Sequence, residues 1–230
     1  ILALYREASQ VKQEGVKKYI RQVVMEENAS ALSRPSTFPP LATSSSSLPK
    51  PDIQKGRKFL VFAHHLPMLD AVESELQSLN VSYFRIDGGT STTERAMHVK
   101  RFEKDESLRV ALLSLTCAST GLTLISASLV LFAELFWNPG TLIQAEDRVH
   151  RLGQTAPFVE LRYLFCKGTV DDLLWPMIDK KLKVVGTAIN GVKDQMSLAG
   201  KRSPKSKITD INTKPVKIAK PEKKKEKQAV

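Results

Sequence analysis

Gln144, Arg148 and Arg151 are the residues whose types and spacing best suit chemistry. They lie in the stretch Q-A-E-D-R-V-H-R-L-G-Q, residues 144–154. No helix breaker interrupts this stretch before Gly153, and Asn138-Pro139-Gly140 or Thr141 supplies a helix start. A helix is therefore predicted, with the three side chains at i, i+4 and i+7 on one face. Two guanidiniums one turn apart, with an amide on the same stripe, form a planar donor array that matches phosphate oxygens. A plain solvated helix normally mixes Lys with Glu, whereas both cations here are Arg. His150 stands beside them but supplies no fixed charge near neutral pH.

The elements that must position these groups are legible as alternating strands and helices. Lys58–Ala63, Val81–Ile86, Arg109–Leu115, Leu129–Ala133 and Val159–Cys166 read as strands. Helices are expected from Pro67 to Leu79, from the capping-box pattern Ser91–Glu94 to about Glu103, and from Thr169 to Val185 with a kink at Pro176. On the Ser91 helix, Ala96, Val99 and Phe102 are expected to face inward. Such alternation indicates βαβ units, hence an α/β fold with a parallel sheet flanked by helices. Right-handed crossovers gather the loops after the strands along one edge of the sheet. His64, Asp87, Thr116 and Glu134 all follow strand ends, so function is expected on that edge.

Other stretches on that edge are weaker signals. Asp87-Gly88-Gly89-Thr90-Ser91 is a tight turn into a helix start, where exposed N–H groups could receive a phosphate. An ordinary turn and N-cap explain it equally well. Thr116–Thr123, T-C-A-S-T-G-L-T, is a small-residue loop that lets backbone approach phosphate, with Gly121 free to adopt conformations other residues resist. His64 and His65, as neighbours on a strand, should point to opposite faces and so not share a metal. No Cys/His spacing suggests zinc, and no metal ligands are assigned.

The arginine stretch resembles motif VI of the SWI/SNF-related ATPases of helicase superfamily 2. K-F-L-V-F-A-H-H, R-I-D-G-G-T-S-T-T-E-R and F-A-E-L-F-W-N-P-G resemble the SMARCA-like, or HepA-related, annealing-helicase branch. The small-residue loop corresponds to motif V: it departs from the broad family's K-A-G-G-x-G-L-N and, Cys117 apart, fits the branch's T-A-A-x-x-G-L-T. The resemblance implies a second RecA-like lobe of a DNA-dependent ATPase motor. It implies that Arg148 and Arg151, oriented by Gln144, reach a nucleotide across an interlobe cleft, and that Gly121 lies near that nucleotide. It implies DNA-backbone contacts for Thr90, Ser91 and Thr116. ATP and Mg²⁺ would be held mainly by a first lobe, because G-x-x-x-x-G-K-[ST] and a D-E-A-H-like acidic pair are not found in these 230 residues. The 230 residues alone are then expected not to hydrolyse ATP. Asn138-Pro139 should shape the turn before motif VI, Trp137 should pack rather than stack on a base, and Glu134 should pair with an Arg or sit in a structural ion pair. Implied partners are DNA, the first lobe, and fork or chromatin proteins acting in replication or repair in the nucleus.

Four segments are expected: a leading helix over 1–27, a Ser/Pro-rich flexible insert over 28–56, the lobe over 57–190, and a basic, disordered tail over 191–230. The insert, unusual for the family, puts the docking of the leading helix in question. The net charge of +11 is uneven: from Lys193 onward twelve Lys or Arg face four Asp or Glu. Such a tail suits salt-sensitive nucleic-acid attraction or nuclear import. Cys117 and Cys166 are expected to be buried and reduced. Val110–Ala133 carries no charge and is long enough to span a bilayer, but its Ser, Thr and Gly residues fit two buried strands and a loop better, so no membrane is expected. The chain opens at Ile1, as a fragment would. The competing reading is a truncated, catalytically silent DNA-binding or scaffold module, and the sequence upstream of Ile1 separates the two.

Overall fold

The computed structural model describes residues 2–32, 56–149, 153–154, 156, 158–180 and 205–211. The helix α1 (Leu2–Leu32) precedes β1 (Phe59–Ala63), α2 (Leu66–Ser78), β2 (Tyr83–Ile86), α3 (Thr92–Lys104) and β3 (Val110–Ser114). A 3₁₀ turn η1 (Leu115–Thr120), β4 (Leu129–Phe132), α4 (Pro139–Glu146), β5 (Glu160–Phe165), a helix α5 (171–180) and β6 (Lys205–Asp210) follow. The six strands form one parallel sheet in the order β2-β3-β1-β4-β5-β6. This is the expected RecA-like arrangement.

The strand sequences explain their places. β1, β3 and β4 are buried at every position and apolar except for Ser114 at the end of β3, as central strands covered on both faces must be. β2 alternates instead, with Phe84 and Ile86 buried and Tyr83 and Arg85 half-buried, as befits an edge. One face of the sheet packs against α3, α4 and α5 through Phe102, Leu142 and Ile178. The other packs against α1 and α2 through Val16, Ile20, Leu69 and Leu76.

α1 docks fully, despite the insert that follows it. Ala8, Lys12, Val16, Ile20 and Val23 are buried at helical spacing, while Leu4 is exposed. At one end of α1, Lys12 Nζ lies 2.7 Å from Asp171 Oδ2 and donates to the Leu164 carbonyl at 3.0 Å. At the other end, Glu27 meets Arg57 Nε at 2.6 Å, and Asn28 Oδ1 accepts from the buried Arg109 at 2.6 Å.

Two differences from the sequence reading concern boundaries. α1 runs to Leu32, into the segment expected as a flexible insert; the Ala and Leu after Asn28 are good helix formers that carry it on. Residues 33–55 lie outside the described residues. Within the expected tail, residues 205–210 pair with β5 as a sixth strand. Ile208 and Thr209 are β-branched, and Ile211 is buried, which a reading based on net charge overlooked. The rest of 191–230 and the expected kink-to-end portion of α5 beyond 180 lie outside the described residues.

Candidate nucleotide and nucleic-acid edge

The chain leaves β1, β2, β3, β4 and β5 at their C-terminal ends on the same edge of the sheet; Thr90, Ser91 and Thr116 follow strands there, whereas Gln144 and Arg148 lie along and beyond α4. After β3, η1 ends at Gly121, whose φ of +77° is a left-handed conformation that favours glycine. The hydroxyls of Ser114 and Thr116 lie 2.8 Å apart, with Thr116 exposed. After β4, Asn138 caps α4: its side chain accepts from Gly140 N–H at 3.0 Å, and Pro139 occupies the first turn. The expected turn-shaping role of Asn138-Pro139 is thus observed.

The loop that holds Gly121 and the turn that holds Arg148 are joined. Leu124 N–H donates to the Arg148 carbonyl at 3.0 Å. Gln154 spans the same seam, its amide donating to Ala127 O at 2.9 Å and Val149 O at 3.2 Å while its oxygen accepts from Ala156 N–H at 2.9 Å. Gly153 sits at φ +99°, and a Cβ there would meet Ile125 Cδ1 at 2.9 Å. Sequence reasoning gave Gln154 no role; its place immediately after a glycine at the end of a charged run was the available signal.

The expected single helical stripe is not what forms. α4 ends at Glu146, and the chain continues through i→i+3 hydrogen bonds from Arg148 to Ala145 and from Val149 to Glu146. Gln144 is exposed, whereas Arg148 is buried at 9 % exposure, so the two do not share an outward face. Ala145 and Val149 both reach the core, and Arg148 between them is drawn to the buried side with them. Arg151 and His150 lie outside the described residues. Glu146 turns inward to accept from the Tyr163 hydroxyl. Burial raises its pKa above the ordinary carboxylate value, against the opposing hydrogen bond from Tyr163, and burial raises that of Tyr163 also.

The turn after β2 is satisfied from within. Asp87 N–H donates to Thr90 Oγ1 at 3.1 Å, Gly89 N–H to Asp87 Oδ1 at 2.9 Å, and Thr90 N–H to Asp87 O at 3.2 Å. Ser91 and Glu94 form the expected capping box, with Ser91 N–H on Glu94 Oε2 at 2.9 Å. A phosphate at Thr90 or Ser91 would therefore have to displace an internal acceptor. Of the apolar positions expected to face inward on α3, Phe102 is buried, Val99 is half-buried and Ala96 is exposed. Capping at Ser91 sets the phase of that helix and turns Ala96 to solvent.

The two histidines after β1 are closer than strand alternation suggested. The chain bends at Ala63, so the His64 and His65 rings lie 4.7 Å apart, with Tyr5 of α1 4.8 Å from His65 and Phe136 4.8 Å from His64. Glu134, 2 % exposed, accepts from both backbone N–H groups, at 2.6 and 2.9 Å, and meets His65 Nδ1 at 2.8 Å. Of the two expectations for Glu134, the structural pair is the one that forms, with His65 as its partner. Burial raises the carboxyl, but the His65 hydrogen bonds prevail and hold it below its ordinary value. Burial and then His65 push His64 below the usual imidazole value, in keeping with a buried Nδ1 that has no hydrogen-bond partner among the described residues. Trp137, expected to pack, is 59 % exposed on this edge. Among the described residues no group of His, Cys, Asp and Glu could hold a metal ion, and no helix is long and apolar enough to cross a membrane. Cys117 and Cys166 are both buried, as expected.

Comparison with known proteins agrees with this architecture. A profile described as "Helicase conserved C-terminal domain" matches residues 44–153. The "SWI/SNF-related matrix-associated actin-dependent regulator of chromatin subfamily A-like protein 1" of Xenopus tropicalis is 58% identical over 137 residues, 59% of this chain and 14% of the relative. The "DNA annealing helicase and endonuclease ZRANB3" of Homo sapiens is 48% identical over 139 residues, 60% of this chain and 13% of the relative. The chain thus spans about one-seventh of the length of these relatives. Among solved structures, the C-terminal part of the Fun30 ATPase domain is similar with a TM-score of 0.51 and 29% identity, covering 53% of this chain and 39% of the other. With the parallel RecA-like sheet, these likenesses identify a helicase C-terminal domain in this chain, similar to those of the SWI/SNF-related and annealing-helicase proteins.

Proposed function

We propose that this chain works as the second lobe of an ATP-driven DNA motor, of the annealing-helicase or translocase kind. The seam that ties Leu124 to Arg148 carries the reading. It couples the small-residue loop at Gly121 to the turn bearing the arginines, so that a phosphate sensed by one is felt by the other. Phosphoryl transfer is mostly positioning and charge neutralisation, and an arginine brought to the γ-phosphate supplies the second. Arg151 is the arginine proposed to reach the nucleotide. Arg148, buried at the root of the turn, anchors it and adds positive charge at the cleft wall, with Gln144 on the exposed side. ATP and Mg²⁺ would be bound mainly by the first lobe of a longer protein or a second chain.

DNA is proposed to cross the same edge. Thr116 and the exposed Trp137 offer a hydroxyl and an aromatic face, and Thr90 and Ser91 can contribute once a phosphate displaces Glu94. The nuclear setting, and work at forks or on chromatin, are proposed from what the relatives' names describe. The test joins this chain to the first lobe of a SMARCA-like relative and measures DNA-stimulated ATP turnover. Arg151→Ala should lower kcat about 10³-fold or more. An unchanged kcat overturns the assignment, as does DNA-stimulated turnover by the 230-residue chain alone.

A further inference from the structure

Helix α3 carries a surface that the motor reading does not use. Met97, Lys100, Arg101 and Lys104 fall at i, i+3, i+4 and i+7 and line an open depression of about 400 Å³ with Asp105 at its end. Met97 is 58 % exposed, which is unusual for so large an apolar side chain, and the three cations are exposed around it. Arg101 makes one exposed contact with Asp105 at 3.3 Å. Lys100 and Lys104 have neither an ion pair nor a hydrogen bond among the described residues.

These cations are not needed to finish the helix. Its C-terminal carbonyls are already served by Lys58, whose ammonium donates to Phe102 O and, at 2.9 Å, to Asp105 O, and lies 5.0 Å from the Phe102 ring centre. Phe102 is buried, so the floor under the depression is fixed. At the other end Arg95 holds the carbonyls of Thr90 and Asp87 at 2.9 and 3.0 Å. The outward face between these anchors is therefore rigid and leaves Lys100 and Lys104 uncommitted.

Its position separates it from the candidate DNA contacts at the C-terminal edge of the sheet. α3 runs antiparallel to the strands it joins, so Lys104 lies at the opposite edge of the sheet from Ser91, roughly 20 Å away along the helix. A duplex lying across the C-terminal edge would contact the start of α3 rather than this end. One feature also favours a protein over a nucleic-acid backbone: the depression has an apolar floor, the Met97 side chain and the aliphatic stems of the cations, for which a phosphodiester has no counterpart. The cations set only the sign of the partner, which must be acidic.

We infer that this face of α3 docks a short acidic segment of another protein, one bulky apolar residue of which seats on Met97 while its carboxylates meet Lys100, Arg101 and Lys104. This is the pattern of an anchored, charge-steered peptide groove. It stands independently of the arginine assignment above.

The test uses the 230-residue chain and a fluorescein-labelled peptide of Glu and Asp with a single central benzoylphenylalanine, which photo-crosslinks readily to methionine. The adduct is expected on Met97, located by mass spectrometry. Binding measured by anisotropy should weaken at least tenfold with Lys100→Glu/Lys104→Glu. It should weaken severalfold with Met97→Asp, or when Ser replaces the aromatic residue of the peptide. Circular dichroism checks that the variants fold, and all three positions are exposed. Adducts confined to the basic segment after Lys193 overturn the inference, as does binding that the α3 variants leave unchanged. Loss on charge reversal with no effect of Met97→Asp or of the Ser peptide also overturns it, leaving only unspecific charge attraction.

Discussion

Replacing Lys12 with Met should undo the anchoring of α1 more than any surface change on that helix. Met keeps most of the aliphatic stem and removes the ammonium, so packing changes little. What is left is Asp171, 2 % exposed, with its carboxylate 3.0 Å from the Cys166 N–H and no cation opposite. Breaking a buried pair from one side costs about 3–5 kcal/mol, because the remaining charge stays desolvated. For a domain of this size each kcal/mol moves Tm by about 2–4 °C, so a fall of roughly 6–20 °C is expected. Making the partner neutral as well, in Lys12→Met/Asp171→Asn, should restore at least about half of the loss, since the amide that replaces the carboxylate carries no charge to strand. Urea denaturation followed by far-UV circular dichroism measures both variants, and the double-mutant cycle gives the coupling. A single variant within about 1 kcal/mol of the parent would refute the argument, as would a double variant no better than the single.

Glu146→Gln should stabilise the chain at neutral pH. Burial raises the folded-state pKa of this carboxyl, so ionisation opposes folding as pH rises from the unfolded value through the folded one. The gain should therefore be absent in acid and present at neutral pH, as read from Tm against pH. Glu134 has the opposite sign: its lowered pKa contributes stability that is lost as pH falls through the folded value, so Glu134→Gln should be most harmful near neutrality and nearly harmless in strong acid. Gly153→Ala should cost about 1–3 kcal/mol from strain at φ +99°, with the contact to Ile125 added, measured by urea denaturation. Trp137→Ala should leave stability within about 0.5 kcal/mol and, in the two-lobe protein, raise the DNA concentration needed for half-maximal ATP turnover.

The strands and their direction were legible because central parallel strands are nearly continuous apolar runs, and Phe59–Ala63, Val110–Ser114 and Leu129–Phe132 are so but for Ser114. The capping box at Ser91 and the start at Asn138-Pro139 were legible because caps use side chains with local partners. What escaped depended on distant ones. Lys12 reads as a solvated lysine until Asp171, far along the chain, is placed beside it. His64 and His65 read as opposed until the bend after Ala63 brings both under Glu134. Gln144 and Arg148 escaped as a shared face because helical spacing cannot say where a helix stops, and this one stops at Glu146. β6 escaped because its lysines dominate the composition of the segment that contains it.

The contact between Glu27 and Arg57 has a consequence for how this chain can vary. The residues bordering the 28–56 segment are held 2.6 Å apart, and Asn28 is fastened to Arg109 beside them. The two margins are thus sewn together at one place on the lobe, with α1 running on to Leu32 beyond the first of them. Doubling the length of a loop so closed costs only about 0.6 kcal/mol in closure entropy. The segment can thus be exchanged, lengthened or trimmed with little penalty to the lobe, which makes this junction a natural port for attaching a reporter or a foreign domain.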